Sequence, residues 1–291
     1  MISTVKSGIQ ANSRDIAVIS NNIANANTTG FKKSHLNFVD IYRNAASQIP
    51  TAYRGAGSLS QDPRMLFTQG SLDITGMTLD VAVEGDGMFV LDSINDDQRL
   101  FSRAGSYVLS NNGKIVDSDG NTPLFFQPTG TSDEENTPND ESISNLLGPI
   151  FVEPTKQFGE RELNGVSLPN ILTLRQLETE PNGKIFARYG EVEGRNTRIF
   201  LGQVSLARFA SLPGLQAEGR NIFTQTEDSG VANIGTPGAE PYGRITFGAL
   251  ERSNVDVTTE LLALIKTQQA YQANARILQT SLEIGRELIN N

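Results

Sequence analysis

Cysteine is absent from all 291 residues, which excludes a disulfide scaffold, a thiolate zinc site and a Cys nucleophile. Histidine occurs once, as His35, and leaves almost nothing to titrate near neutral pH. Positive charge is in deficit: 24 Lys and Arg stand against 33 Asp and Glu, a net charge of −9. That balance argues against a nucleic-acid groove or an anionic membrane surface, both of which need clustered basic residues. Long apolar runs are missing too. The longest near the C-terminus is Leu261 to Ile265, far short of the roughly 20 residues a membrane helix requires. The first residues, Met1 to Ile19, interrupt their apolar positions with Lys6, Gln10, Asn12, Arg14 and Asp15, unlike the unbroken core of a secretory signal. The reading is a chain that stays in the cytoplasm or leaves without a cleaved signal. These shortages weigh against an enzyme, and no catalytic, cofactor-binding or metal-ligating set is assigned.

What is present is turn-forming residues and two patterned ends. Charged residues make up only 20% and glycine numbers 27, a balance that favours turn-rich β structure joined to something less globular. Near the start, Ile2, Val5, Ile9, Ile16, Ile19, Ile23 and Ala26 alternate steps of three and four, apart from one missed beat at Asn12. That spacing draws a narrow stripe along a helix, as in a coiled-coil seam. It predicts a helix from about Ser3 to Asn25, stopped by Asn27-Thr28-Thr29-Gly30, where Gly30 can take positive φ. At the other end Val257, Leu261, Leu264, Tyr271, Ala275, Leu278, Leu282 and Ile289 repeat the rhythm, with Gln268 and Gly285 filling the gaps. Ser253 or Asn254 is the expected N-cap, with Asp256 and Glu260 near the positive end of the helix dipole. About 35 residues would run some 50 Å, too long for a helix of a compact domain this size. Seven or eight apolar positions per helix, each worth about 1.5–3 kcal/mol when buried, call for pairing of terminus with terminus and with other copies.

The middle switches to period two. Leu79 to Leu91 reads as two strands around Gly85-Asp86-Gly87, and Ser106 to Val116 carries the hairpin signal Asn112-Gly113. Asp119-Gly120, Asn164-Gly165 and Asn182-Gly183 mark further turns, with strands at Ile185–Tyr189, Ile199–Phe209 and Ile222–Thr226. The fold class is therefore α+β: long terminal coiled-coil-type helices flank a mostly antiparallel β domain. The expected division is an N-terminal helix region over 1–43, an irregular link over 44–69, a β-rich domain over 70–247 and a C-terminal helix region over 248–291. Within the β domain an exposed, partly flexible insert is expected at about 127–170, rich in proline and acid. Asp117-Ser118-Asp119-Gly120-Asn121 imitates the opening of a calcium loop but lacks the later glutamate, so it reads as a turn. Asp80, Glu84 and Asp86 have no partner base nearby and read as loop residues.

Several segments resemble a known family. Ser7-Gly8-Ile9, then Val18 through Asn21-Asn22-Ile23-Ala24-Asn25 to Gly30-Phe31-Lys32, is similar to the N-terminal signature of bacterial flagellar rod and hook proteins. Gly248 through Ser253-Asn254-Val255-Asp256, with Gln269 to Ala275, resembles that family's C-terminal signature. Gln69-Gly70-Ser71-Leu72, Leu79 to Phe89, Leu201 to Val204 and Gly219-Arg220-Asn221 resemble its β-domain motifs. Phe38 to Tyr42 and Thr75 to Asp80 look most like a short hook protein; the length, nearer rod-protein size, keeps the distal rod as the alternative. An extracellular adhesin and a β-rich hydrolase are weaker alternatives. The resemblance implies a structural subunit, without cofactor, whose terminal helices line a helical tube inside a β shell. It implies assembly through Ile9, Ile16, Ile19, Ile23, Leu261, Leu264, Tyr271, Ala275, Leu278 and Leu282. The implied partners are further copies of the chain, other rod, junction and cap proteins of the axis, and the type III export apparatus.

Overall fold

The computed structural model describes residues 2–44, 53–94, 98–128, 143–163, 166–190 and 196–290. They fall into two compact units, one of Met1–Thr28, Lys32–Thr68 and Ser253–Asn291, the other of Thr29–Phe31 and Gln69–Arg252. Both helices lie in the first unit: α1 spans Ile2–Ala24 and α2 spans Val257–Asn290. α1 ends where the apolar stripe does. The N–H groups of Asn25 and Ala26 turn back onto the carbonyls of Asn21, Asn22 and Ile23, and Asn25 Nδ2 donates to Asn21 Oδ1 at 2.6 Å. α2 opens on Asp256, whose Oδ1 accepts the Thr259 N–H at 3.0 Å, a side-chain N-cap. Neither Ser253 nor Asn254 caps it, because both are committed elsewhere. Ser253 Oγ accepts the Val255 N–H, and Asn254 holds the backbone of Lys33, Leu66 and Thr68.

The rest of this unit corrects the expectation of an irregular link over 44–69. Phe38–Asn44 and Tyr53–Ser60 pair antiparallel, with Val39 opposite Leu59, and Ser34–His35 pairs with Arg64–Met65. Gly55, Gly57, Ser58 and Ser60 carry little β propensity, which hides the second strand from a reading of pattern alone. α1 holds it in place: Arg14 donates to Ser60 Oγ at 3.0 Å, and Ser7 Oγ accepts the Ser58 N–H at 3.3 Å. Gly57, at φ +116°, has no room for a side chain there; a Cβ would lie 2.1 Å from Ser7 Oγ.

The second unit is built of antiparallel strands in two larger sheets and several short pairs. One sheet has the order Gln216–Gly219, Ile222–Thr224, Arg99–Ser102, Met88–Asp92, Leu206–Arg208, Asn233–Gly235, with Thr122–Pro123 also paired to Met88–Asp92. The other runs Ile143–Gly148, Phe125–Pro128, Asn196–Val204, Lys184–Gly190, Val166–Thr179, Thr155–Leu163. The expected insert at 127–170 is thus in part regular sheet; its acidic run at 133–135 and the Asn164-Gly165 turn lie outside the described residues. The Asn112-Gly113 and Asn182-Gly183 turns form as read, with Gly113 at φ +77° and Gly183 at φ +84°.

Two strands expected to be simple are not. Val81–Glu84 and Met88–Asp92 do not pair with each other: the first pairs with Arg244–Phe247, the second with Arg99–Ser102 and Leu206–Arg208. All of Val81 to Val83 and Met88 to Leu91 are buried, as continuous apolar runs covered on both faces should be. The stretch Ile199–Phe209 breaks at Ser205, whose buried Oγ donates to the Leu124 carbonyl at 2.6 Å. That break sends Asn196–Val204 into one sheet and Leu206–Arg208 into the other.

A buried ion pair explains the Gly85-Asp86-Gly87 turn. Arg103 Nε donates to Glu251 Oε2 at 2.6 Å, and Glu251 is fully buried. The same guanidinium donates to the carbonyls of Val83 at 3.1 Å, Gly85 at 2.7 Å and Gly87. Glu251 in turn accepts the Gly70 N–H on its other oxygen, at 2.9 Å, and its backbone carbonyl accepts the Gly30 N–H at 2.8 Å. One cation thus gathers the turn between two strands and the two ends of the unit. Gly30, at φ +69°, fits only without a side chain, since a Cβ would sit 2.7 Å from the Ala104 nitrogen.

Replacing Arg103 by Met should cost this unit about 3–5 kcal/mol, because it strands a buried carboxylate and three carbonyls. Denaturant unfolding followed by circular dichroism measures it, and a loss below about 1 kcal/mol would refute the role given to the pair. A second expectation concerns alkali. Tyr107 is buried with an unpartnered hydroxyl, and burial, then the charge of Asp117, pushes its phenol well above the ordinary range. Tyr189 is raised in the same direction by burial and then Glu153. A pKa raised on folding gives stability that is complete below the unfolded value of about 10 and lost as pH climbs through the folded one. Melting temperature should therefore fall as pH rises above about 10, where the unfolded phenol ionises, and Tyr107→Phe should flatten that fall. An unchanged slope in the variant would refute it.

Candidate assembly surface

α1 and α2 pack against each other antiparallel, and the polar contacts between them recur at fixed spacing. Asn22 Nδ2 donates to Glu260 Oε2 at 3.1 Å in the interior. Seven residues earlier on α1 and seven later on α2, Thr267 Oγ1 donates to Asp15 Oδ2 at 2.9 Å. Seven further in each direction, Gly8 lies against Asn274, whose Nδ2 would be 3.1 Å from a Cβ at Gly8. A seven-residue step on both helices keeps one face of each turned to the other. The inner line of α2 is therefore Glu260, Leu264, Thr267, Asn274, Leu278 and Ser281, all buried or half-buried.

The Glu260 layer is the most elaborate. Asn22 is buried, donates also to the Ser34 carbonyl at 2.9 Å, and accepts the Ser34 N–H at 2.9 Å. Lys33 Nζ stands 3.6 Å from the other Glu260 oxygen. The Lys33 N–H donates to Asn254 Oδ1 at 2.8 Å, and buried Lys32 donates to the Thr68 carbonyl at 2.8 Å. One buried carboxylate thus has an amide and an ammonium as partners, the arrangement a buried charge requires. A cleft of about 440 Å³ opens beside it, lined among others by Val18, Ile19, His35, Leu36, Phe38 and Ala263. His35 is exposed.

The predicted apolar stripes divide between two faces. Ile19 is buried and Ile9, Ile16 and Ile23 are half-buried, as are Leu264, Ala275 and Leu278. Leu261, Tyr271 and Leu282 are instead 45%, 38% and 49% exposed. They join Leu262, Ile265, Ile277 and Ile284, exposed by 48–57%. α2 therefore carries apolar side chains beyond those that meet α1. Reading the stripe from apolar residues alone misses Glu260, Thr267 and Asn274, which are polar and yet face inward. A period search admitting polar residues would have found them, since they also recur every seven.

The signature residues have separate tasks. Asn22 and Asn254 tie backbone segments of the helical unit, Asp256 caps α2, and Asn21 and Asn25 close the turn after α1. Ser253 is buried and Phe31 half-buried, while Gly30 belongs to the close approach described for the β unit. The carboxylates weighed for chemistry also have structural partners. Asp80 accepts Thr75 Oγ1 at 2.5 Å, and Asp117 accepts the N–H groups of Asp119 and Asn121, closing a turn. Glu84 and Asp86 are exposed.

Comparison with known proteins agrees with this distribution of helices and strands. Residues 2–32 match the model described as "Flagella basal body rod protein", residues 82–144 the "Flagellar hook protein FlgE/F/G D1 domain", and residues 248–291 the "Flagellar basal body rod FlgEFG protein C-terminal". The chain is 31% identical to the flagellar basal-body rod protein FlgG of Agrobacterium fabrum, over 96% of this chain and 94% of that protein. It is 30% identical to the protein of that name from Bacillus subtilis, over 98% and 96%. The flagellar hook protein FlgE of Escherichia coli is 26% identical over 401 aligned positions, covering 98% of each.

Proposed function

This chain belongs to the bacterial flagellar rod and hook family of axial proteins, and we propose that within it the chain is a structural subunit of the distal rod. The observation that carries the choice is length. The rod relatives align with this chain almost end to end over 294 and 295 positions. The hook relative needs 401 positions to cover the same 291 residues, so this chain lacks over a hundred positions of the hook protein. The preference for a hook drawn from Phe38 to Tyr42 and Thr75 to Asp80 gives way to this difference in length.

The proposed mechanism is polymerisation without catalysis. The antiparallel pair of α1 and α2 behaves as a two-helix coiled coil and supplies the inner wall of a tube. Exposed apolar residues of α2 meet other copies of the chain, and burying the half of each that is still exposed contributes about 1 kcal/mol. Contacts between unlike surfaces do not close and so propagate as a helix. The β unit has an interior of its own, tied by Arg103 and Glu251. Other axial proteins above and below, and the type III export apparatus, are the further partners of this reading.

Two experiments test it. A tagged chain should remain with basal bodies after hooks and filaments are sheared away; recovery with the sheared hooks alone would overturn the rod assignment. Placing Asp at Ile277 and Ile284, both about half exposed, should leave the circular dichroism of the purified chain unchanged and abolish rod assembly and motility. Normal rods from that double variant would remove the outward face of α2 from the mechanism.

A further inference from the structure

The apolar part of the α1–α2 seam carries no information about register. On α1 the same residue, isoleucine, stands at 9, 16 and 23, and on α2 Leu264 and Leu278 of the inner line stand two such intervals apart, with the partly exposed Tyr271 midway between them. Sliding one helix by seven residues, about 10 Å of axial shift at 1.5 Å per residue, returns isoleucine to isoleucine and a large apolar side chain to another. A seam built only of these residues would be degenerate.

We propose that three layers, the close packing of Gly8 on Asn274 and the hydrogen-bonded pairs of Asp15 with Thr267 and Asn22 with Glu260, mark the register of the pair, and that the two hydrogen-bonded ones lock it. The two pairs are unlike, and a slip breaks them in different ways. A slip in one direction brings Asp15 opposite Glu260, two carboxylates facing one another, with Gly8 opposite Thr267. A slip in the other brings Asn22 opposite Thr267 and Asp15 opposite Asn274. It also carries Glu260 past Ala24, the last residue of α1, away from its amide partner. Only the observed register satisfies Glu260 and Asp15 together. A single polar layer fixes alignment in coiled coils at a cost in stability; here two unlike hydrogen-bonded layers act against slips both ways. In a tube whose inner wall is made of such pairs, a slipped pair would misplace one helix by about 10 Å relative to its neighbours. The lock itself stands on the helical unit alone and does not depend on the rod assignment.

The absence of cysteine makes a clean test available in the full chain. Gly8→Cys with Asn274→Cys reports the observed register on oxidation or with a short bis-thiol reagent. Gly8→Cys with Ser281→Cys reports a slip of seven and leaves the other two layers intact. With those layers present, only the first pair should cross-link. Replacing Asp15, Thr267, Asn22 and Glu260 together by Leu should raise cross-linking of the slip pair by roughly tenfold or more, the loss expected from removing two interhelical hydrogen bonds, with the helical signal at 222 nm retained. Should that variant lose its helical signal, Asp15→Leu with Thr267→Leu alone is read the same way, with a smaller rise. Asp15→Asn, which keeps an acceptor for Thr267, should show no slip. A Leu variant that stays helical and cross-links only in the observed register would overturn the lock, as would slip cross-linking in the chain whose ladder is intact.

Discussion

The helical unit depends on one constraint: Asn22 and Glu260, 238 residues apart in sequence, must meet. Closing so long a loop from a disordered chain costs about 5 kcal/mol beyond a constant term, more than any one contact in the seam returns. The β unit removes most of that cost. Its own interior draws its two ends together, since the Gly30 N–H donates to the Glu251 carbonyl while the Glu251 side chain holds Gly70 and Arg103. With Gly30 held at Glu251, only the short stretches from Ala24 to Gly30 and from Glu251 to Val257 remain along the chain between that tie and the two helices.

Seen this way, the division between polar and apolar residues along α2 has a physical reason. Most of the stability of a helix such as α1 comes from packing its apolar face rather than from propensity, and half-buried isoleucines supply attraction toward a partner. Attraction of that kind is indifferent to alignment. Polar layers add little net stability, because each hydrogen bond replaces one to water, but they raise the free energy of every wrong alignment. Glu260 shows the balance most sharply: burying its carboxylate is unfavourable in isolation, and Asn22 and Lys33 make it tolerable in one place.

Much of this architecture was legible in the residues. The apolar spacing located α1 to within about a residue at either end, and the Asn-Gly turns at 112–113 and 182–183 marked real hairpins. What escaped was whatever depends on partners distant in sequence. Arg103 looks like any surface arginine until the strands carrying it and Glu251 are assembled, and nothing within a few residues of either announces the other. Tyr53–Ser60 escaped for the opposite reason: its glycines and serines read as loop, yet Ser7 and Arg14 of α1 need those small residues in order to approach the strand. The inward face of α2 was half right, because a stripe counted from apolar residues alone mixes the line that meets α1 with the line that remains exposed.

That mixture bears on assembly. A helix with a single apolar line is satisfied by a single partner, and α2 would have no need of other copies once α1 lay against it. Leu261, Leu262, Ile265, Ile277, Leu282 and Ile284 remain exposed after α1 is in place, alongside an inner line whose polar members already fix its alignment. Two lines on one helix separate two jobs. The inner one sets the length and register of the subunit's own helix pair with hydrogen bonds that cannot be satisfied elsewhere. The outer one, made of aliphatic side chains with no directional demands, can accept neighbours in whatever geometry a tube imposes. Exact alignment within a subunit and tolerance between subunits are different physical requirements, and in the proposed tube α2 would meet them with different chemistry on different faces.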